Sequence, residues 1–288
     1  MGVMLAAECP PKCICEQLKV NCRDKDLKIF PKDLPLNTRL LDVAGNGISE
    51  INSLELSLLS DLVHLDCSNN AISEISNLDF LSVVKLVYLD LSHNRLSIID
   101  GMTFESLTNL IVLKLNDNPE LKEIESDAFK KNLGLREINL SNNALSYLNT
   151  TTLKKLEGLK VIYLAGNPWD CQCTIGQLSE WIFESNDTFP DADKAICTMP
   201  KSLAGIPVDK ALFKLFKICL TPLDFYDYLF FVIVGFTIFI SGVIVASIAG
   251  IVMVYFERKK KFTEDEDEME MTQFQSMRAN MRFMNIST

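Results

Sequence analysis

The chain is poor in the residues that perform chemistry. Among 288 residues there are two histidines, His64 and His93, and two tryptophans. No nucleophile–base pair, no phosphate-cradling glycine loop and no nucleic-acid signature accompanies them, which argues against an enzyme and against a nucleic-acid binder. Charge is missing altogether from Leu229 to Phe256, and so is proline. A helix of those 28 residues spans ~42 Å at about 1.5 Å each, more than the ~30 Å of a hydrocarbon core. The opening residues, MGVMLAAE, are too short for a complete secretory signal, and residues 1–8 are expected to be a remnant of one. The net charge of −10 is spread over the whole chain and says little about partners.

What the chain has in quantity is a period. Asn46, Asn70, Asn94, Asn118, Asn143 and Asn167 stand 24, 24, 24, 25 and 24 residues apart. Each follows the same apolar pattern, as in LVHLDCSNNAI (62–72), LVYLDLSHNRL (86–96) and LREINLSNNAL (135–145). This is the leucine-rich repeat, L-x-x-L-x-L-x-x-N-x-L, whose units stack side by side because none can bury its apolar face alone. Side chains alternate along a strand, so Leu41/Val43, Leu65/Cys67, Leu89/Leu91, Leu113/Leu115, Ile138/Leu140 and Ile162/Leu164 are the expected inward pairs. Leu56, Phe80, Phe104, Phe129 and Leu153 recur as a second apolar anchor. Pro119-Glu120, inserted before Leu121, accounts for the single longer step. The fold class is therefore α/β, a leucine-rich-repeat solenoid shaped as a horseshoe, with cysteine-rich caps and one transmembrane helix. The expected divisions are a cap over 9–37, six repeats over 38–166, a second cap over 167–220, a juxtamembrane linker over 221–228, the span over 229–256 and a disordered tail over 257–288.

Two cysteine clusters flank the repeats. Cys9, Cys13, Cys15 and Cys22 precede them, and Cys171, Cys173, Cys197 and Cys219 follow Asn167-Pro168-Trp169. Four cysteines allow three connectivities, and spacing does not choose among them. Zinc is the alternative use of clustered cysteines, but no histidine accompanies either cluster, so no metal or other cofactor is expected. The chain resembles secreted leucine-rich repeat proteins with cysteine-rich flanks. That resemblance implies Cys9–Cys15 with Cys13–Cys22, and Cys171–Cys197 with Cys173–Cys219. Paired cysteines need an oxidising compartment. Three glycosylation sequons agree with one: Asn149 and Asn186, expected on exposed loops, and Asn139, expected to point out from a concave strand. Cys67, the ninth cysteine, takes an inward strand position as a small apolar side chain.

Arg258, Lys259, Lys260 and Lys261 follow the uncharged run, while Asp224 and Asp227 precede it. By the positive-inside bias, the repeats are outside the cell and the C-terminus is cytosolic, as in a type I single-pass plasma-membrane protein. Gly235, Gly242, Ala246 and Gly250 fall on one helical stripe where another helix could approach closely. Thr237, Ser241 and Ser247 add possible hydrogen bonds across such a contact. The basic cluster has an ordinary duty as a stop-transfer and lipid contact, and the acidic run from Glu264 to Glu270 reads as a solvated tail. On the concave face the strands present Asp42, Asp66 and Asp90 at neighbouring positions. Like charges at inter-strand spacing cost energy unless a cation or a basic partner meets them, which makes them a candidate contact ladder. Asp is also an ordinary, well-hydrated residue at this slot.

The segments PLNTRLLDVAGN (35–46), LLSDLVHLDCSNN (58–70), LAGNPWDCQC (164–173) and TPLDFYDYLFFVIVGF (221–236) together resemble the leucine-rich-repeat γ auxiliary subunits of large-conductance potassium channels. Within that family the resemblance lies nearest to the sperm-channel branch. It covers residues 9–270, and the juxtamembrane and membrane-spanning stretch carries it. Some members of the family have a kinked membrane helix; without proline in 229–256, a kink here must come from glycine. The resemblance implies a subunit that does not conduct ions but shifts the voltage- and pH-dependent gating of a tetrameric pore-forming partner toward opening. Gly235, Gly242, Ala246 and Gly250 would contact the channel, and Arg258, Lys259, Lys260 and Lys261 would act on its sensors electrostatically. Besides the channel, membrane lipid is the expected partner, with no nucleic acid and no small-molecule substrate. The alternative is a cell-surface adhesion or ligand-binding receptor, in which the concave face matters and the helix is a tether.

Overall fold

The computed structural model of the protein describes residues 9–219 and 225–284. The expected signal remnant, part of the juxtamembrane linker and the last four residues lie outside the described residues. Two compact units meet at Leu220/Thr221, and each is described by itself.

The first unit is built on one eight-stranded sheet. The six repeats supply the three-residue strands Leu40–Asp42, His64–Asp66, Tyr88–Asp90, Val112–Lys114, Glu137–Asn139 and Val161–Tyr163, all parallel. They are in strict register, with Leu41 opposite Leu65, Leu65 opposite Leu89 and Leu89 opposite Leu113. This register puts every predicted inward pair into the core, each residue with no exposed surface, including the free thiol Cys67. Behind the strands, the buried rings of Phe80, Phe104 and Phe129 run as a spine, with centroids 6.1 and 6.0 Å apart. Leu56 and Leu153 continue it at either end.

The repeating asparagine explains why the chain turns where it does. The Asn94 amide nitrogen donates to the carbonyls of Cys67, Leu91 and Ser92 at 3.0, 3.1 and 3.1 Å. Its oxygen accepts from the Ile72 backbone at 3.0 Å. One side chain thus satisfies buried backbone groups of its own repeat and the preceding one, groups that otherwise cost about 1–3 kcal/mol each. The residue just before each asparagine is left-handed in all six repeats: Gly45, Asn69, His93, Asp117, Asn142 and Gly166 have φ between 52° and 70°. These residue types tolerate that region. His93 therefore has a backbone role. The Pro119-Glu120 insertion alters one contact: Asn143 accepts from the Asn118 backbone at 2.8 Å, not from a residue two places further on.

Both ends of the stack are closed. At the N-terminal end, Ile14–Glu16 and Lys19–Asn21 form an antiparallel hairpin whose second strand joins the sheet in parallel beside Leu40–Asp42. Disulfides join Cys9 to Cys15 and Cys13 to Cys22. At the other end, Asp191 accepts from the backbones of Leu164 and Ala165 at 3.0 and 2.8 Å, satisfying donors just past the last strand. Trp169 is fully buried and its indole donates to the Leu164 carbonyl at 3.2 Å. Helices Gly176–Glu184 and Val208–Cys219 complete this cap, with disulfides Cys171–Cys197 and Cys173–Cys219.

The second unit is a single helix, Phe225–Met284. Among the described residues it is the one helix long and apolar enough to cross a membrane. Its extent corrects one expectation. The stretch after Phe256, expected to be a disordered tail, continues the helix through the basic and acidic runs. No glycine or proline interrupts residues 251–284, and Lys260 reaches Glu264 one turn on, at 3.8 Å. Oppositely charged neighbours at that spacing favour a helix.

Candidate functional site

The concave face of the horseshoe presents His64, Tyr88, Val112, Glu137 and Val161 in one row and Asp42, Asp66, Asp90, Lys114, Asn139 and Tyr163 in the next. The His64 and Tyr88 rings stack in parallel, with centroids 4.2 Å apart. Lys114 lies 5.4 Å above the centre of the Tyr88 ring and 3.8 Å from the Asp90 carboxylate. Its hydrogen bond with Tyr88, together with the attraction of Asp90 and Glu137, raises the Lys114 pKa, while burial raises that of Tyr88. Burial lowers the His64 pKa even though Asp66, Asp42 and Asp90 pull the other way. The imidazole is thus held neutral, as a packing surface.

The aspartate ladder is not the open acidic strip that its sequence suggested. Each carboxylate turns one oxygen onto its own strand end: Asp42 onto the Ala44 backbone at 3.1 Å, Asp66 onto Ser68 at 2.9 Å and Asp90 onto Ser92 at 3.0 Å. The other oxygens of Asp42 and Asp66 share Arg23, which donates through Nε to Asp42 at 2.9 Å and through Nη2 to Asp66. Its hydrogen bond to Asp42 raises the Arg23 pKa. The second oxygen of Asp90 accepts from the Tyr88 hydroxyl at 2.9 Å. The like charges are therefore neutralised within the chain, and the cation that does so comes from the N-terminal cap. Sequence reading missed Arg23 because it stands 19 and 43 residues from its partners. Its place just after Cys22, beside the hairpin strand that joins the sheet, was the available signal.

The three sequons lie in different settings. The Asn139 side chain is engaged, its oxygen accepting from the Ser141 backbone at 3.0 Å and hydroxyl at 2.7 Å. Asn149 is half-buried in a loop, where it accepts from the Thr151 backbone at 2.9 Å. Asn186 begins a short 3-10 turn, Asn186–Thr188.

On the long helix, Gly235, Gly242, Ala246 and Gly250 fall within one side of the barrel and are exposed. A methyl group added at any of the three glycines would meet nothing within 4 Å. Thr237, Ser241 and Ser247 donate back to the carbonyls of Val234, Ile238 and Val243 at 2.8, 2.7 and 2.8 Å. Their donors are satisfied inside the helix, so only their oxygens remain to serve a neighbour. Arg258, Lys259, Lys260 and Lys261 are all exposed, and as consecutive helical residues they encircle the helix.

Comparison with known proteins agrees with this architecture. The family described as leucine rich repeat matches residues 85–131 and 108–168, and the leucine rich repeat N-terminal domain matches residues 8–35. The chain is 37% identical to Leucine-rich repeat-containing protein 52 of Mus musculus over 93% of its own length and 85% of that protein's. With the Homo sapiens protein 52 the identity is 40%, over 93% and 86%. Leucine-rich repeat-containing protein 55 of Rattus norvegicus is 49% identical, over 92% of this chain and 91% of its own. Identities of this size across repeats, both caps and the apolar helix leave one conclusion: the chain belongs to the family of leucine-rich repeat-containing proteins 52 and 55, the γ auxiliary subunit group that its juxtamembrane and apolar segments resembled.

Proposed function

We propose that this protein is a non-enzymatic auxiliary subunit of a large-conductance potassium channel and shifts the gating of its pore-forming tetramer toward opening. Its helix would cross the plasma membrane once, with the repeats outside and the C-terminus in the cytosol. The disulfide caps and the basic residues after Phe256 support that orientation. The observation that carries the reading is the exposed stripe of Gly235, Gly242, Ala246 and Gly250, which nothing in the chain covers among the described residues. Small residues in a membrane helix let a second backbone approach closely, and close packing is the force available to helices in lipid.

Modest packing suffices. If each copy contacts a voltage sensor better in its activated arrangement by ~1 kcal/mol, four copies supply about 4 kcal/mol. Against roughly 2.3 kcal/mol per charge per 100 mV, a gating transition carrying about two charges shifts by on the order of 90 mV. Arg258, Lys259, Lys260 and Lys261 add a field at the cytosolic side. The deciding experiment replaces residues 229–256 with a poly-leucine span and records co-expressed channels, normalised to their surface number. Loss of the voltage shift supports the subunit; an unchanged shift rejects it in favour of a receptor that works through the concave face.

A further inference from the structure

The C-terminal cap carries a surface that neither the horseshoe nor the channel reading uses. Its last helix, Val208–Cys219, buries Val208, Ala211, Leu212 and Leu215 against the cap. The opposite side exposes Phe213 and Phe216 by 68% and 54%, among Lys210, Lys214 and Lys217. Phe183 of the neighbouring cap helix, itself exposed, packs edge-on against Phe213 at 5.7 Å and widens the patch. Aromatic rings left in water are costly, and rings interleaved with lysines are the composition of a helix lying in a lipid interface. The lysine stems can cover apolar surface while the ammonium groups reach phosphate.

What lies next to this face is set by covalent geometry. Cys219 is tied to Cys173, and six backbone steps lead from it to Phe225, where the apolar helix starts. Six steps reach at most roughly 20 Å. The chain therefore keeps the end of the cap helix close to the point where the following helix enters the bilayer, whatever else binds the protein.

We propose that Phe213 and Phe216, flanked by Lys210, Lys214 and Lys217, rest on the phospholipid surface and make the cap a second membrane contact. The rings sit at the level of the headgroups, and the lysines pair with lipid phosphates. Such a contact removes orientational freedom from the horseshoe relative to the membrane and so fixes which way its concave face points. This inference does not depend on the channel reading.

The test uses the full chain reconstituted without a channel into phosphatidylcholine vesicles. Trp181→Phe serves as the background, leaving fully buried Trp169 as a constant signal. Phe216→Trp and Phe213→Trp then report separately, with Leu133→Trp as an exposed control on the repeats and Phe239→Trp as a control in the apolar helix. The lipid is brominated near the headgroup end of its acyl chains. The indole emission added by Phe216→Trp and by Phe213→Trp is expected to fall by about half or more in each case, and that added by Leu133→Trp to stay unchanged. Quenching of Phe239→Trp alone overturns the proposal, because the protein is then inserted and the cap stands clear of lipid. No quenching at Phe239→Trp either overturns the membrane span itself. Adding phosphatidylglycerol should deepen the quenching, and Lys210→Gln, Lys214→Gln and Lys217→Gln together should abolish that increment; an increment that persists removes the lysines from the proposal.

Discussion

In the horseshoe, the residues that recur are buried and hydrogen-bonded inside the chain, whereas from Phe225 onward every described side chain is exposed. The same apolar composition thus has two outcomes. Leucine and phenylalanine in the repeats meet each other across stacked units, and the stability is internal. Isoleucine, valine and phenylalanine in the long helix have no partner in the chain, so their burial must come from lipid or another protein. Substitutions in the first region should therefore be read in folding, and those in the second in assembly.

The sharpest way to break that contrast is to remove a ring of the spine. Phe104 is stacked between Phe80 and Phe129, and Phe104→Ala should destabilise the horseshoe by about 3–5 kcal/mol. Denaturant unfolding of the detergent-solubilised chain, followed by near-ultraviolet circular dichroism, measures it; Phe239→Ala in the long helix should leave the same transition in place. Next is Asn94→Ala, which strips the carbonyls of Cys67, Leu91 and Ser92 of a shared donor. A loss of about 1–3 kcal/mol is expected in the same assay, and a loss below that range would mean that water replaces the amide. Arg23→Met leaves Asp42 and Asp66 facing each other without a cation. Because Arg23 is 44% exposed, screening limits the effect to about 0.5–1 kcal/mol, shrinking further as salt is added.

The smallest effect is one of pH. The folded-state pKa of His64 lies below its ordinary value, because burial penalises the imidazolium. The unfolded chain binds the proton more readily, so the stability associated with neutral His64 is present above the ordinary imidazole pKa of about 6.5 and is lost as pH falls through the folded value. Melting temperature should drop on acidification through this window. His64→Phe should flatten that slope while keeping the stack on Tyr88; an unaltered slope would show that other groups set it.

The horseshoe was legible because its cause is periodic. An asparagine every 24 or 25 residues and a phenylalanine in step with it admit one arrangement of the inward pairs, and Leu41 through Leu164 are buried as that pattern requires. The left-handed residue before each asparagine was equally readable, since Gly45, Asn69, His93, Asp117, Asn142 and Gly166 are types that tolerate positive φ. The concave face was not legible in the same way. Asp42, Asp66 and Asp90 looked like bare charge because their cation comes from the cap, and a pairing across 43 residues leaves no local trace. After Phe256, the helix was hidden by the charge run, although Lys260 and Glu264 stand at helical spacing there.

Sequence alone determined the number of repeats, the residues of their core, and the presence of one apolar segment long enough for a bilayer, because each follows from spacing and hydrophobicity along the chain. Only the tertiary structure decided that the aspartates are neutralised by Arg23, that Asp191 closes the last strand, and that the cap turns Phe213 and Phe216 outward. Those outcomes depend on which elements the folded chain sets side by side. Charge and exposure are properties of neighbours in space, and no period in the sequence encodes them.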